Sequence, residues 1–155
     1  MPKRSREDTA STINMILQAV EKQLFKMGYD NMTYTTLSRQ TGISRTGISH
    51  HFAKKTDFLV AMEERIYQKL TRYLVLNKQL TDFIQSWNDA LSKPRFRSIL
   101  RVITYDVMRN SSSNGIKLNT LKKLAMRLQD DFGDKAVSEL EALLGEYIIY
   151  LSRNG

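Results

Sequence analysis

The sequence contains no cysteine, only two prolines and only seven glycines among its 155 residues. Without cysteine, the chain has neither a disulfide framework nor a thiolate metal site. The scarcity of proline and glycine, together with few alternating β-branched runs, predicts an all-α chain. No apolar run approaches the length of a bilayer span, and residues 1–6 lack the apolar core of a signal peptide. We therefore expect a cytoplasmic protein with no membrane segment.

The charge is positive and unevenly distributed. The formal net charge is +8. Residues 1–55 contain nine basic and four acidic side chains, whereas residues 56–155 contain fifteen and twelve. The basic excess is thus concentrated in the first third of the chain, as expected of a surface that binds phosphates. A basic excess that only aids solubility is the alternative.

Residues 33–58 have the pattern of a helix-turn-helix followed by the start of a third helix. Gly42 is placed where a helix must stop sharply and the backbone must turn left-handed. Thr33 and Ser44 are expected to cap the two short helices through their hydroxyl groups. Such short helices need tertiary support. The apolar contacts for it are expected from Leu37, Ile43 and Ile48.

This segment and its flanks, about residues 11–71, resemble the TetR family of bacterial transcription regulators. The resemblance is carried by Phe25-Lys-Met-Gly28-Tyr29, Thr33 to Ser38, Gly42-Ile43-Ser44-Arg45, His51-Phe52, Lys55 and Phe58-Leu59. It implies a three-helix DNA-binding head over residues 11–71 and a helical ligand-binding and dimerisation body over residues 72–155. Two positions depart from the family pattern. Ser49 stands where a phosphate-contacting tyrosine is usual, and Lys54 stands where a small capping residue is usual.

The second helix of the motif is expected to enter a DNA major groove. Arg45 is the candidate for base readout, because a guanidinium can address guanine with two hydrogen bonds. Thr46, Gly47 and His50 are expected at base edges or thymine methyl groups. Contacts to phosphate are assigned to hydroxyl, imidazole and ammonium groups that position the backbone. The complete predicted set is Thr35, Thr36, Ser44, Arg45, Thr46, Gly47, Ser49, His50, His51 and Lys55.

The remaining sequence predicts a basic N-terminal arm and a series of amphipathic helices. Residues 2–10 are expected to be flexible, with Lys3, Arg4 and Arg6 either reaching a minor groove or making no contact. Helices are expected at residues 56–77, 80–92, 95–109, 117–132 and 134–152. Residues 110–115 are expected to form a loop.

The body is where the resemblance implies an inducer pocket and a dimer interface. The pocket candidates among the middle helices are Phe83, Trp87, Ile103, Tyr105 and Met108, with ordinary core packing as the alternative for each. The last helix is apolar on more than one face, which indicates burial on more than one side. Packing inside a monomer is the alternative to dimerisation here. The interface candidates are Leu140, Leu144, Tyr147, Ile148 and Leu151.

Together these features predict a sequence-specific, homodimeric DNA-binding regulator, most simply a repressor released by a small hydrophobic inducer. The rival hypotheses are a helical protein-interaction module with a vestigial helix-turn-helix and no inducer, and a nonspecific DNA-coating protein. The chain has no glycine-rich phosphate loop, zinc signature or nucleophile elbow, so we expect neither an enzyme nor a cofactor. His50 and His51 are adjacent helix positions that do not face one another, so no metal site is predicted there.

Overall fold

The computed structural model describes residues 5–109 and 118–154, and these residues contain eight α-helices and no strand. The prediction of an all-α chain, with a helix-turn-helix head followed by a helical body, is confirmed. The helices are α1 (Arg6–Met27), α2 (Tyr34–Thr41), α3 (Arg45–His51), α4 (Lys55–Thr71), α5 (Leu80–Leu91), α6 (Pro94–Arg109), α7 (Thr120–Phe132) and α8 (Asp134–Asn154).

The described residues separate into two compact units. Unit 1 contains residues 5–65 and 98–109 together with Leu118, and unit 2 contains residues 66–97 and 119–154. None of the described helices has the length and hydropathy needed to cross a membrane.

The first helix begins earlier than the sequence pattern indicates. Ser5 caps α1 by accepting a hydrogen bond at Oγ from the Asp8 backbone N–H (3.1 Å), and Asp8 Oδ2 accepts from the Ser5 N–H (3.2 Å). This reciprocal capping box satisfies two backbone donors at the helix start. The prediction of a flexible arm is therefore wrong for residues 6–10, and residues 2–4 lie outside the described residues.

The core of unit 1 is apolar and continuous across its helices. Since α2 and α3 are too short to be stable alone, burial of their apolar faces has to hold them. Fully burying one such side chain stabilises the fold by about 1.5–3 kcal/mol relative to exposure. The core side chains include Ile16, Val20 and Leu24 of α1, Leu37 of α2, Ile48 of α3, Phe58 and Met62 of α4, and Leu100 and Ile103 of α6.

Unit 2 combines an aromatic cluster with a helical hairpin. The Trp87 and Phe96 rings meet edge to face with centroids 5.3 Å apart, and Tyr73 packs against Phe96 at 5.4 Å. The hairpin is formed by α7 and α8, which pack against one another. Gly133, with φ 83°, provides the sharp connection between these helices. The hairpin buries Leu124, Leu128, Leu140 and Leu143.

Two predicted boundaries of helices in residues 56–154 differ from the structure by three residues or more. The fourth helix was expected to reach residue 77, but α4 ends at Thr71. There the N–H groups of Tyr73 and Leu74 turn back to the carbonyls three residues earlier, and Ser86 Oγ accepts from the Val75 N–H at 2.9 Å. The seventh helix begins at Thr120 rather than near residue 117, since the Leu118 N–H is engaged by Asp106 Oδ2 at 2.7 Å. The predicted loop at residues 110–115 lies outside the described residues.

Candidate nucleic-acid interface

The turn between α2 and α3 has the geometry that its sequence predicts. Thr33 caps α2, its Oγ1 accepting from the Thr36 N–H at 3.0 Å while Thr36 Oγ1 accepts from the Thr33 N–H at 2.9 Å. Gly42 ends the helix in the left-handed region (φ 74°, ψ 1°), and its N–H donates to the Ser38 carbonyl at 2.9 Å. Ser44 then caps α3 by accepting from the Gly47 N–H at 3.0 Å. The predicted caps at Thr33 and Ser44 and the predicted left-handed turn at Gly42 are confirmed.

Gly47 has a packing role within the turn. A Cβ added at this position would lie 3.0 Å from Ile43 Cγ2 and 3.1 Å from Ser44 Oγ, closer than most real Cβ contacts. Because Gly47 has no side chain, the first turn of α3 can pack closely against Ile43 and against its capping residue Ser44. The contact of Gly47 with base edges or thymine methyl groups stays a prediction.

A buried glutamine links α1 to α2. The Gln23 side chain is 4% exposed, and its Nε2 donates to the Thr36 carbonyl (3.1 Å) and to Gln40 Oε1 (2.8 Å). Its Oε1 accepts from Thr36 Oγ1 at 2.6 Å. We refer to Gln23, Thr36 and Gln40 as the Gln23 network. Because buried amide groups are stable only when bonded, the network fixes the position of α2 against α1.

Aromatic side chains fix the other side of the motif. Tyr34 Oη donates to the Phe52 carbonyl at 2.5 Å, which joins the start of α2 to the end of α3. The Phe58 ring of α4 lies 5.4 Å from Tyr34 and 5.0 Å from Phe52, between ring centroids. Burial is the main reason that the pKa of the Tyr34 hydroxyl is raised. These contacts hold α2, α3 and the start of α4 as one rigid piece.

The start of α4 has one hydrogen bond of a capping box, although Lys54 stands where a small capping residue is usual. Asp57 Oδ2 accepts from the Lys54 N–H at 2.9 Å, three residues back along the chain. Its negative charge also lies in the first turn, where the helix dipole favours an anion. The missing small capping residue is therefore compensated from within the helix.

The outer surface of α3 presents a row of hydrogen-bonding groups, which we call the donor face: Ser44, Arg45, Thr46, Ser49 and His50. Ser44, Arg45, Thr46 and His50 are exposed, and Ser49 is partly exposed. Ser49 Oγ donates to the Thr46 carbonyl at 3.1 Å, so its lone pairs remain available to a partner. The His50 and His51 rings meet edge-on with centroids 5.2 Å apart. No group of three or more potential metal ligands occurs among the described residues.

The sequence segment that contains the donor face carries basic side chains and no acidic ones. Residues 31–56, the acid-free segment, contain Arg39, Arg45, Lys54 and Lys55 and no aspartate or glutamate. Of these, Arg39, Arg45 and Lys54 are exposed. Because the segment itself has no carboxylate, its exposed cations favour a positive local potential, which attracts phosphate.

Lys55 occupies a more enclosed position than the other predicted contacts. Its Nζ donates to the Asp30 carbonyl at 3.3 Å and lies 4.4 Å from the centroid of the Tyr29 ring. Arg109 Cζ lies 4.3 Å from the same ring centroid. Partial burial lowers the pKa of the Lys55 ammonium, Arg109 acts in the same direction, and Asp30 opposes them. The ammonium group is thus held beside the segment that precedes α2.

Two family models cover nearly all of this architecture. The model of bacterial regulatory proteins of the tetR family matches residues 16–62, and that of the tetracycline repressor LuxT C-terminal domain matches residues 63–151. The chain belongs to the TetR family. It is a DNA-binding transcriptional regulator, with α2 and α3 as the helix-turn-helix of its head. No curated protein matches the chain.

The ten positions assigned to DNA in this TetR family chain are not equivalent in the structure. Thr35 is exposed at the start of α2. Thr36 is half-buried and engaged in both the cap and the Gln23 network. His51, at the end of α3, is half-buried. Thr35 and the donor face are accessible to a ligand, whereas Thr36 has a structural role that was not anticipated.

The five pocket candidates fall in different places. Phe83 and Trp87 are fully buried in unit 2, and Ile103 is fully buried in unit 1. Tyr105 and Met108, also in unit 1, are 42% and 60% exposed. Of the five candidates, Tyr105 alone lines the cavity formed by the end of α1, Leu59 and α6. Trp87 Nε1 is buried with no hydrogen-bond partner among the described residues.

The five dimer candidates divide into two groups along α8. Leu140 and Tyr147 are 3% and 1% exposed within unit 2, and Leu144 is half-buried. Ile148 and Leu151 are 38% and 39% exposed, and the neighbouring Ile149 and Tyr150 are also exposed. The end of α8 therefore carries the apolar surface that is available to a partner.

Sequence reasoning missed the Gln23 network and the Tyr34 hydroxyl bond. A signal for the first was present, because Gln23 falls between Val20 and Leu24 on the buried stripe of α1. A polar residue on such a stripe requires a bonded partner. Nothing local indicates that Tyr34 bonds to a carbonyl eighteen residues later.

Proposed function

We propose that the protein acts as a homodimer that binds a two-fold symmetric DNA operator and represses transcription until a small molecule releases it. The observation that carries the DNA-binding part is the donor face of α3, flanked by exposed cations within a segment that has no carboxylate. The Gln23 network and the Tyr34 bond support it, since a rigidly held helix loses little entropy when it enters a groove.

Within this proposal, the chemistry of each side chain decides whether it is assigned to DNA bases or to phosphates. Arg45 opens α3 with an exposed guanidinium, which suits bidentate readout of guanine. Thr46 and His50 lie on the same exposed surface and are assigned to base edges. Thr35, Ser44, Ser49, His51 and Lys55 are assigned to phosphates, which set the register of the head on the duplex.

The homodimer is supported by the end of α8. Ile148, Ile149, Tyr150 and Leu151 are 38%, 52%, 48% and 39% exposed, so four consecutive apolar side chains contact solvent. Successive residues of a helix point in different directions, which makes this end of α8 apolar around most of its circumference. Exposed apolar surface of this kind marks an interaction site. A second copy of the chain would also supply the second head that a symmetric operator requires.

We also propose the boundary between the head and the regulatory body at residues 71 and 72. The support is that α4 ends at Thr71 and is followed by a stretch without regular helix.

The decisive experiment is selection of bound sequences from a random pool of duplexes, followed by titrations of the selected duplex. A palindromic consensus is expected for a dimer with two heads. Arg45→Ala should weaken binding by about 1–3 kcal/mol and relax the preference at one base pair of each half-site. Arg72→Ala, which removes an exposed arginine immediately after α4, is the matched control and should leave both properties unchanged.

The interaction-module alternative makes a different prediction. If the head were vestigial, the selection would return no consensus, and binding would be weak and steeply dependent on salt for every duplex. Equal binding of all sequences by the parent and by Arg45→Ala would refute base readout by this arginine.

A further inference from the structure

A cavity lies within unit 1, beside the end of α1. Its volume is about 280 Å³, and one wall is formed by residues 24–31, the end of α1 and the following turn. The remaining lining residues are Leu59 of α4 and Arg101, Val102, Tyr105 and Asp106 of α6. This volume is roughly twice the ~150 Å³ of an engineered apolar cavity that binds benzene. We refer to it as the α6 cavity.

The lining combines an apolar interior with a few ionic groups. Leu24 and Leu59 are almost completely buried, and Phe25 and Val102 are partly buried. Ligand sites typically have this composition, with apolar walls and a small number of polar groups that fix orientation.

The acidic groups of the α6 cavity already have partners. Asp106 is 3% exposed, its Oδ2 accepts from the Leu118 N–H at 2.7 Å, and its Oδ1 lies 3.5 Å from Arg109 Nη2. Asp30 Oδ2 accepts a short hydrogen bond from the Tyr105 hydroxyl, and this bond raises the pKa of Tyr105. Both carboxylates are therefore already hydrogen-bonded within unit 1.

The basic groups of the lining differ from the acidic groups in their hydrogen bonds and in their pairing. Arg101 is exposed and donates one long hydrogen bond, 3.4 Å, to Ser98 Oγ. Among the described residues no carboxylate is paired with Arg101. Lys26, also in the lining, is exposed in the last turn of α1. A guanidinium at the rim of an apolar cavity is suited to bidentate binding of a carboxylate.

We propose that the α6 cavity binds a small aromatic carboxylate, with its ring against the partly exposed Phe25 and Val102 and its carboxylate on Arg101. The cavity volume accommodates one or two fused rings, and the Arg101 guanidinium, which has no carboxylate partner among the described residues, favours an anion over a neutral or cationic compound. The cavity is contained in the same compact unit as the helix-turn-helix.

A ligand at this position would act on DNA binding through Lys55. The wall of the cavity includes Tyr29 and Asp30, and these residues hold the Lys55 ammonium through the ring contact at 4.4 Å and the carbonyl bond at 3.3 Å. A carboxylate held by Arg101 adds a negative charge to the cavity that these residues line, and this charge lowers the positive potential around Lys55. Occupancy by the carboxylate therefore weakens binding to DNA phosphate, and by linkage DNA weakens binding of the carboxylate by the same factor. This regulatory step rests on the proposed function.

The site itself is tested without DNA. Isothermal titration calorimetry of the full chain with benzoate, cinnamate and 2-naphthoate is expected to give saturable binding for at least one of them, and weaker binding for the corresponding amide. Arg101→Met should weaken the binding about tenfold to hundredfold, since it removes a charge-assisted bidentate contact. Arg95→Met, at an exposed position of α6 outside the cavity, should bind as the parent does.

Two results would overturn the site. One is the absence of saturable binding for all three carboxylates, and the other is equal affinity of Arg101→Met and the parent. A second variant, Val102→Trp, fills the cavity while leaving Arg101 in place, and it should also abolish binding. Thermal unfolding of each variant establishes that the fold is intact.

The regulatory step is tested by fluorescence anisotropy with the selected duplex, using sodium acetate at equal concentration to control for ionic strength. The aromatic carboxylate should weaken DNA binding by the parent and leave Arg101→Met unaffected. If the carboxylate binds and no DNA sequence is recognised, the proposed function fails while the site stands. If DNA is recognised and no carboxylate binds, the site fails while the proposed function stands. Binding of both without mutual effect would refute the coupling through Lys55.

Discussion

Replacing Gln23 by alanine tests whether a buried polar network sets the geometry of the DNA-binding head. Gln23 is the only side chain of the Gln23 network that is fully enclosed, and it contributes to three hydrogen bonds between α1 and α2. Gln23→Ala removes all three bonds at once. It leaves the capping box of Thr33 and Thr36 intact, because those bonds do not involve Gln23.

The expected magnitude follows from the bonds and their surroundings. Each intramolecular hydrogen bond contributes about 0.5–1.5 kcal/mol net, so three give about 1.5–4.5 kcal/mol. Gln40 is exposed and Thr36 is partly exposed, so both can bond to water once Gln23 is gone. The loss is therefore expected in the lower part of that range, about 2–3 kcal/mol. In a protein of this size it corresponds to a fall in melting temperature of roughly 4–12 °C.

Urea unfolding of the parent and of two alanine variants measures this loss. Gln18→Ala is the matched control, because Gln18 lies on the same helix and is exposed. Both substitutions change helix propensity equally, so the difference between them isolates the tertiary bonds. The reasoning is refuted if Gln23→Ala and Gln18→Ala have midpoints corresponding to stabilities within about 0.5 kcal/mol of each other, which is the usual range for surface substitutions.

Two further predictions concern binding to DNA and dimerisation. Lys55→Met should weaken binding to all duplexes by a similar factor and reduce the slope of log affinity against log salt by about 1, as expected for one lost phosphate contact. The exposed Lys78→Met is its control, and a loss confined to one sequence would contradict the phosphate role. Ile149→Glu should shift the chain to monomer in sedimentation velocity and weaken operator binding, since it places a charge in the exposed apolar end of α8. Val60→Glu, a similarly exposed position on α4, should change neither property, and a dimer that survives Ile149→Glu would argue against this interface.

The parts of the head that the sequence predicts are those whose causes are local. Gly42 adopts φ 74° and Ser44 caps α3, and both follow from interactions within four residues. The same is true of the Thr33 cap, whose partner is three residues away. Local rules of this kind depend on the residue type and the adjacent backbone and are independent of the rest of the fold.

Features with distant partners were not predictable in the same way. Tyr105 donates to Asp30 across 75 residues, and nothing near either residue indicates the other. The end of α4 was misplaced for a similar reason, because the hydroxyl that captures the Val75 N–H belongs to Ser86 of the next helix. The apolar stripe that predicted helix as far as residue 77 is real, with Tyr73 and Leu74 packed in unit 2, but these residues lie in a turn.

The boundary of the head shows how far such distant contacts extend. The family models meet between residues 62 and 63, inside α4, which has one continuous apolar stripe from Phe58 to Leu70 and no local mark of a division. Unit 1, in contrast, also includes residues 98–109, which contribute Leu100 and Ile103 to the buried set and Tyr105 to Asp30. A head cut after Thr71 would therefore retain the whole helix-turn-helix motif and lose part of the core that supports it. The contacts that read DNA are local in sequence, and the stability that positions them is not.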